Sequence, residues 1–328
     1  MTLPVLEIAI GSPEIWWITI AAVLALFVLD FVITRRPHEV SMKEAVGWSA
    51  FYIALPLAFG VWIWTTFGSE RGLEFYAGYL VEKSLSVDNL FVFMLLLSSF
   101  AVPRELQQRV LLIGVAGALV LRGVFIALGA AMLANFAWTF LLFGAILLAT
   151  AVKVLRDTMN PAEEEVNPGE LRIVRLVRRF WPVTDGYRGP RMIVVEDGKR
   201  ALTPLALATL AILATDVVFA VDSVPAVFGI TGDAYLVFVT NAFALLGLRA
   251  LYFVLEGALG ALVHLGYGLA AILAFIGAKL VMHWAHGIWS WVPEVDTLFS
   301  LGVIVGILAI VITTSLIANK RQARAIQH

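Results

Sequence analysis

With 61% hydrophobic and only 14% charged residues among 328, and a net charge of −1, the chain has the composition of a polytopic membrane protein. Its near-neutral balance offers no electrostatic footprint for nucleic acid. The absence of cysteine excludes disulfides, thiolate metal sites and thiol redox chemistry, so any metal must be held by oxygen or imidazole.

The N-terminal segment MTLPVLEIAIGSPEIWW has no basic n-region and no small-residue cleavage motif, and reads as retained rather than as a removable signal. Apolar runs long enough to cross a bilayer follow at 16–34, 45–67, 73–99, 110–133, 137–155, 204–230, 235–255, 260–283 and 298–317. The expectation is an all-α bundle of about nine transmembrane spans. Sheet is disfavoured because the runs are continuous rather than alternating, and a lipid-facing backbone must satisfy its own hydrogen bonds. Thr203 followed by Pro204 reads as an N-cap and first-turn proline opening the sixth span.

Positive charge sets the expected orientation. Arg35, Arg36, Lys43, Arg104, Arg109, the basic stretch between Arg156 and Arg200, and Lys320, Arg321 and Arg324 all fall on one side if the N-terminus lies outside and the C-terminus inside. The other side then holds little beyond Arg71, which is the asymmetry of the positive-inside rule. Within 156–202, an acidic Pro-containing part precedes RIVRLVRRFW, whose interleaved arginines and apolar residues suit a short helix on the inner leaflet.

Two apolar stretches carry the same acidic signature. EKSLSVDNLFVF places Glu82, Asp88 and Asn89 as TDVVFAVDSVPAVF places Asp216, Asp222 and Ser223, 134 residues later. The likeness continues from LVLRGVFIALGAAM to GLRALYFVLEGALG, aligning Arg122 with Arg249, and from FGAILLATAVKVL to AAILAFIGAKLVM, aligning Lys153 with Lys279. Each copy holds three spans, and an odd number forces the copies into opposite polarity, the inverted-repeat architecture of secondary transporters. The divisions are a two-helix segment at 1–72, a first repeat at 73–155, a cytoplasmic loop at 156–202, a second repeat at 203–283 and a C-terminal helix with a basic tail at 284–328.

Carboxylates at bilayer depth cost about 2.5–3.5 kcal/mol each on insertion scales, which argues that these four bind something positive. On a regular helix Glu82 shares a face with Asn89, and Asp216 with Ser223, whereas Asp88 and Asp222 lie about 120° away. Either the helices unwind locally, with Pro225 and Gly229 as the means in the second copy, or the ligands form two tiers about 9 Å apart. Carboxylate, amide and hydroxyl oxygens favour Mg²⁺, Mn²⁺ or Ca²⁺ and do not choose among them. Ser84, Ser86 and Asn241 are candidates to extend the shell, and Arg122, Arg249, Lys153 and Lys279 to act as counter-ions or snorkelling bases. The competing interpretation is that the acids pair with these bases, or with Lys83, merely to hold the bundle together.

Three further features are weaker. His283 and His286, with Glu294 and Asp296 beyond them, form either a metal-capture site or an aromatic-rich interfacial turn. Asp30 is expected to partner a neighbouring base or water rather than serve as a ligand, and Gly114, Gly117 and Gly123 to permit close helix packing rather than movement.

At EKSLSVDNLFVF, DVVFAVDSVPAVF, TNAFALLGLRALYF, AFIGAKLV and the leading RRPHEVSMKEAVGWSAFYIALPLAFG, the chain resembles the TerC/Alx family of integral membrane proteins, over about 25–317. That resemblance implies Mn²⁺ export and makes Glu82, Asp88, Asn89, Asp216, Asp222 and Ser223 the metal-handling positions, with Mn²⁺ ahead of Mg²⁺ and Ca²⁺. It also implies a bacterial inner membrane, and its labels of tellurite resistance and alkali-induced redox response leave room for a non-transporting factor in metallation or insertion of exported proteins. The expected activity is transport rather than enzymatic, since no nucleophile, phosphate loop or cofactor motif is present. Protons are the candidate coupling ion.

Overall fold

The computed structural model describes residues 10–33, 40–160, 171–196, 198–257 and 263–326. Arg35, Arg36 and the acidic part of the central loop, at 161–170, lie outside the described residues, as does the expected start of the eighth span at 260. Five long helices come first: α1 (Pro13–Ile33), α2 (Met42–Phe67), α3 (Ser69–Ser99), α4 (Arg104–Asn135) and α5 (Trp138–Met159). After the central loop, with its short helix α6 (Arg172–Phe180) and hairpin β1 (Ile193–Glu196) and β2 (Lys199–Leu202), come α7 (Pro204–Phe228), α8 (Ala234–Leu245), α9 (Leu248–Gly257), α10 (Leu265–His286) and α11 (Thr297–Ile326).

Seven of these helices are long and apolar enough to cross a membrane, and α8 with α9 forms a bent pair, at 42°, that would make one more. Helix α3, though 31 residues long, falls outside that set because Glu82, Lys83 and Asp88 sit in its middle. The outward faces are apolar: Trp17, Ile18, Val28 and Val32 on α1, Val61 and Trp64 on α2, and Ile310 and Leu316 on α11 are all exposed. Such a surface would be a liability in water and is the expected covering in lipid.

The buried interior lies between α3, α4, α7 and α8, around Leu90, Phe93, Leu111, Ile212 and Leu245. A second apolar group joins α5 and α10 to α3 and α7 through Leu147, Val224, Ile272 and Ile276. An aromatic group of Tyr52, Phe75, Tyr79, Tyr235 and Phe243 ties α2 and α3 to α8. The principal pairings are α3 with α7 and α8, α4 with α7, and α5 with α10. Gly144 and Gly277 let α5 and α10 touch nearly backbone to backbone: a Cβ on Gly144 would stand 2.9 Å from the Gly277 carbonyl oxygen, and one on Gly277 3.0 Å from that of Gly144. Gly114 and Gly117 serve the α4–α7 contact in the same way, against Ile212 and Leu213, whereas Gly123 faces open space.

Thr203 caps α7 as expected: its hydroxyl accepts from the Ala206 amide and donates to the Arg191 carbonyl at 2.8 Å, fastening the helix start to the loop before the hairpin. Three local features depart from expectation. The seventh span is not one helix but two, broken at Leu246 and Gly247, where Gly247 takes φ +81° and so adopts the left-handed conformation that glycine tolerates. Helix α7 runs unbroken to Phe228 with Pro225 inside it, so the unwinding considered for the second acidic motif does not occur. The central loop holds a two-stranded hairpin, paired from Ile193 with Leu202 to Glu196 with Lys199, where no strand was expected.

Candidate functional site

The two acidic motifs meet on one arginine. Arg122, in the middle of α4, is fully buried, and its guanidinium lies between Glu82 of α3 and Asp216 of α7. Nη1 donates to Glu82 and, at 3.0 Å, to the side-chain carbonyl of Asn241 on α8. Nη2 and Nε donate to the two carboxylate oxygens of Asp216 at 3.2 and 3.5 Å. With its amide oriented to suit its neighbours, Asn89 accepts from Nη2 at 3.3 Å and donates to the Leu85 carbonyl at 3.0 Å. One buried cation therefore holds residues from α3, α7 and α8 together.

Helical periodicity explains which residues join. Glu82, Ser86 and Asn89 recur every three or four residues and share the buried face of α3, as Asp216 and Ser223, seven apart, share that of α7. Asp88 and Asp222, one step off that spacing, are half-buried beside the cluster and take no part in the arginine's hydrogen bonds. Asp222 nevertheless lies within electrostatic reach of both Arg122 and Asp88. With α7 unbroken, the inner acids, Glu82 and Asp216, meet at Arg122, while Asp88 and Asp222 lie outside that set of hydrogen bonds.

The cluster is not saturated. Glu82 Oε2, Ser86 Oγ and Ser223 Oγ are buried without a hydrogen-bond partner among the described residues. Unpaired buried oxygens cost about 1–3 kcal/mol each, more for a charged group, and mark a place where a ligand or water is to be expected. Among the described residues, no group of three or more His, Cys, Asp and Glu side chains is gathered as a metal would need.

The remaining candidates lie elsewhere. Ser84 turns back to the Leu80 carbonyl at 2.7 Å, and Lys83 donates to the Ala244 carbonyl at 3.2 Å. Lys153 is exposed, and Lys279 is half-buried within the field of Glu74 and Asp296. Arg249, aligned with Arg122 in the repeat, instead binds Asp30 of α1 through two contacts at 2.6 and 3.1 Å and reaches Gln108 of α4 at 3.4 Å. Asp30 thus has the basic partner expected of it. His283 faces Glu294 at 3.2 Å and packs on Phe140, while His286 Nδ1 meets the Val292 carbonyl, so the two histidines close a turn rather than converge.

Sequence reasoning passed over Glu74, buried two turns ahead of Glu82 and hydrogen-bonded by Arg71 and by the Thr231 hydroxyl, each at 2.9 Å. It also passed over Asp233, which caps α8 through the Tyr235 amide and binds the Ile10 amide at 2.7 Å. An acid in an apolar helix was the available signal for Glu74, and the Asp233–Ala234 junction after a glycine for the cap.

The family model described as "Integral membrane protein TerC family" matches residues 67–323, spanning α3 to α11 and so the whole cluster. A membrane protein of Myxococcus xanthus, STKORF319, is 43% identical over 313 residues, covering 95% of each chain. Membrane protein Rv2723 of Mycobacterium tuberculosis is 44% identical over 277 residues, 84% of this chain and 70% of that one. A protein of Escherichia coli K12 whose name proposes a membrane-bound redox modulator, Alx, is 38% identical over 323 residues, 95% of this chain and 97% of that one. No solved structure matches. With its helices, its lipid-compatible surface and a family match over most of its length, the chain belongs to the TerC family of integral membrane proteins.

Proposed function

We propose that this chain exports a divalent cation, Mn²⁺ by family resemblance, through the carboxylate cluster between α3 and α7. The observation that carries the reading is that two acids from separate, sequence-related helices converge on a cation in the buried centre of the bundle, where three oxygens have no hydrogen-bond partner among the described residues. Buried carboxylates are costly in hydrocarbon and are kept where they handle charge. Glu82, Asp88, Asn89, Asp216, Asp222 and Ser223 are the proposed metal-handling residues, supplying the hard oxygens that Mn²⁺, Mg²⁺ and Ca²⁺ accept.

The helix pairings support an inverted repeat. If α3, α4 and α5 correspond to α7, α8 with α9, and α10, then α3 against α8 has its counterpart in α7 against α4, and α5 against α10 is its own counterpart. Both pairings occur, as they must about a two-fold axis. Under this reading α3 is the ninth crossing, the N-terminus is outside, and alternating access is a rocking of one repeat against the other. The membrane is the bacterial inner membrane, and protons are the proposed coupling ion.

A second reading, a membrane factor that moves nothing, is favoured by the absence of a three-acid group among the described residues and by the pairing of Arg122 with both inner acids. There the cluster would only lock the bundle. The Alx relative's name speaks of redox modulation, but with no cysteine this chain has no thiol of its own with which to perform it. Purified protein in liposomes separates the readings. Export predicts Mn²⁺ movement without partners, and cells lacking the protein should accumulate Mn²⁺. Liposomes that stay impermeable to Mn²⁺, with cellular Mn²⁺ unchanged, would leave the non-transporting factor.

A further inference from the structure

We infer that Arg122 is a tethered counter-cation: it occupies the acidic seat between transport events and withdraws when the divalent ion enters. The inference rests on the reading of the cluster as a cation-transport site. It explains why the acids are present and yet not gathered as a metal would require.

Arg122 lies where a transported cation would have to lie. Its guanidinium takes the facing oxygens of Glu82 and Asp216 and the side-chain carbonyl of Asn241, so no ion can bind Glu82 and Asp216 together while it is there. Its charge is half that of the ions proposed, so the guanidinium neutralises one of the two acids, whereas a divalent ion in its place would balance both. The unpartnered oxygens point the same way. Glu82 Oε2, Ser86 Oγ and Ser223 Oγ are left over with the arginine seated, which has no donor directed at them, and six or more oxygens is the coordination a hard divalent ion seeks.

The exchange requires a side chain that can leave and a second acid to receive it. The exchange would have the fully buried Arg122 side chain turn on its four rotatable bonds while α4 keeps its close contact with α7 at Gly114 and Gly117. Asp222 already lies within its electrostatic field. In this cycle Arg122 prevents the empty carrier from holding uncompensated acids in low dielectric, and its return helps to expel the ion. A tethered cation competes at very high effective concentration and so weakens binding of a free one.

The test is calorimetric titration of MnCl₂ into the full-length protein in lipid nanodiscs, with Arg122→Gln and Arg122→Lys beside the parent. Removing the competitor should tighten Mn²⁺ binding tenfold or more in Arg122→Gln while lowering its metal-free melting temperature, a deficit that MnCl₂ should restore. Arg122→Lys, which keeps the charge but loses the two-sided grip, should bind more tightly than the parent and less tightly than the glutamine variant. If Arg122→Gln cannot be recovered folded, the lysine variant decides: binding tighter than the parent supports the exchange, and equal or weaker binding overturns it. A parent that binds no MnCl₂ would defeat the transport reading itself. A parent that binds, with variants binding no better, would defeat only the role given to Arg122.

Discussion

The buried pair between Asp30 and Arg249 fastens α1 to the bundle, and removing it should be among the most damaging single changes in the chain. Arg249 is 4% exposed and Asp30 9%, and the guanidinium meets the carboxylate through two contacts at 2.6 and 3.1 Å. Asp30→Ala leaves the arginine buried, with Gln108 at 3.4 Å as its remaining side-chain hydrogen-bond partner among the described residues. Breaking one side of such a pair costs about 3–5 kcal/mol, because the surviving charge stays out of water. The pair between Arg188 and Glu196 is a control within the same molecule: its side chains are 49% and 41% exposed, so Arg188→Ala should change stability by about 1 kcal/mol or less. Reversible unfolding in mixed micelles, with dodecyl sulfate as denaturant, would measure both. Asp30→Ala combined with Arg249→Met should recover much of the loss, since an apolar pair of similar volume carries no desolvation penalty. A single Asp30→Ala variant as stable as Arg188→Ala, or a double variant worse than either single one, would refute this account of the pair.

Asp88→Asn and Asp222→Asn keep size and polarity but remove an anion from beside the cluster, and should abolish Mn²⁺ flux into liposomes while leaving a folded protein, since neither carboxylate shares in the arginine's hydrogen bonds. Flux equal to the parent's in both would show that these acids do not carry transport. Gly144→Leu should force α5 from α10, where even a Cβ would stand 2.9 Å from a carbonyl oxygen, and cost about 1–3 kcal/mol or more in the same unfolding assay. Gly123→Leu, facing open space, should be tolerated.

The sequence was most legible where one signal was repeated. Glu82 and Asp216 could be matched because each begins the same spacing in an apolar run, and the structure brings the two onto one guanidinium. The arginines show where alignment stops being informative. Arg122 and Arg249 occupy matching positions, but the first has acids of the repeats for partners and the second an acid from α1, a helix outside either copy. No local pattern says which acid a buried base will find, because that depends on helices packed from far along the chain. The break at Leu246 and Gly247 was hidden for a different reason: FALLGLRALYF is apolar except for Arg249, and a single glycine in such a run is usually tolerated within a helix. The hairpin was legible and overlooked, since Asp197 followed by Gly198 between IVVE and KRAL is a strong two-residue turn signal.

The break at Leu246 and Gly247 divides the apolar run into two struts, α8 and α9, bent by 42°. Asn241 lies on the near half and grips the guanidinium at the centre of the bundle, whereas Arg249 lies on the far half and is anchored to α1. A straight rod would carry any rotation at its middle directly to its end. Here the left-handed glycine lies between the two anchors, with Tyr52 packed where any larger residue would need to go. Asn241 and Arg249 therefore belong to separate helices with separate anchors, the first on Arg122 and the second on Asp30. The break thus sets the two grips at an angle, one at the electrostatic centre of the bundle and one at its edge.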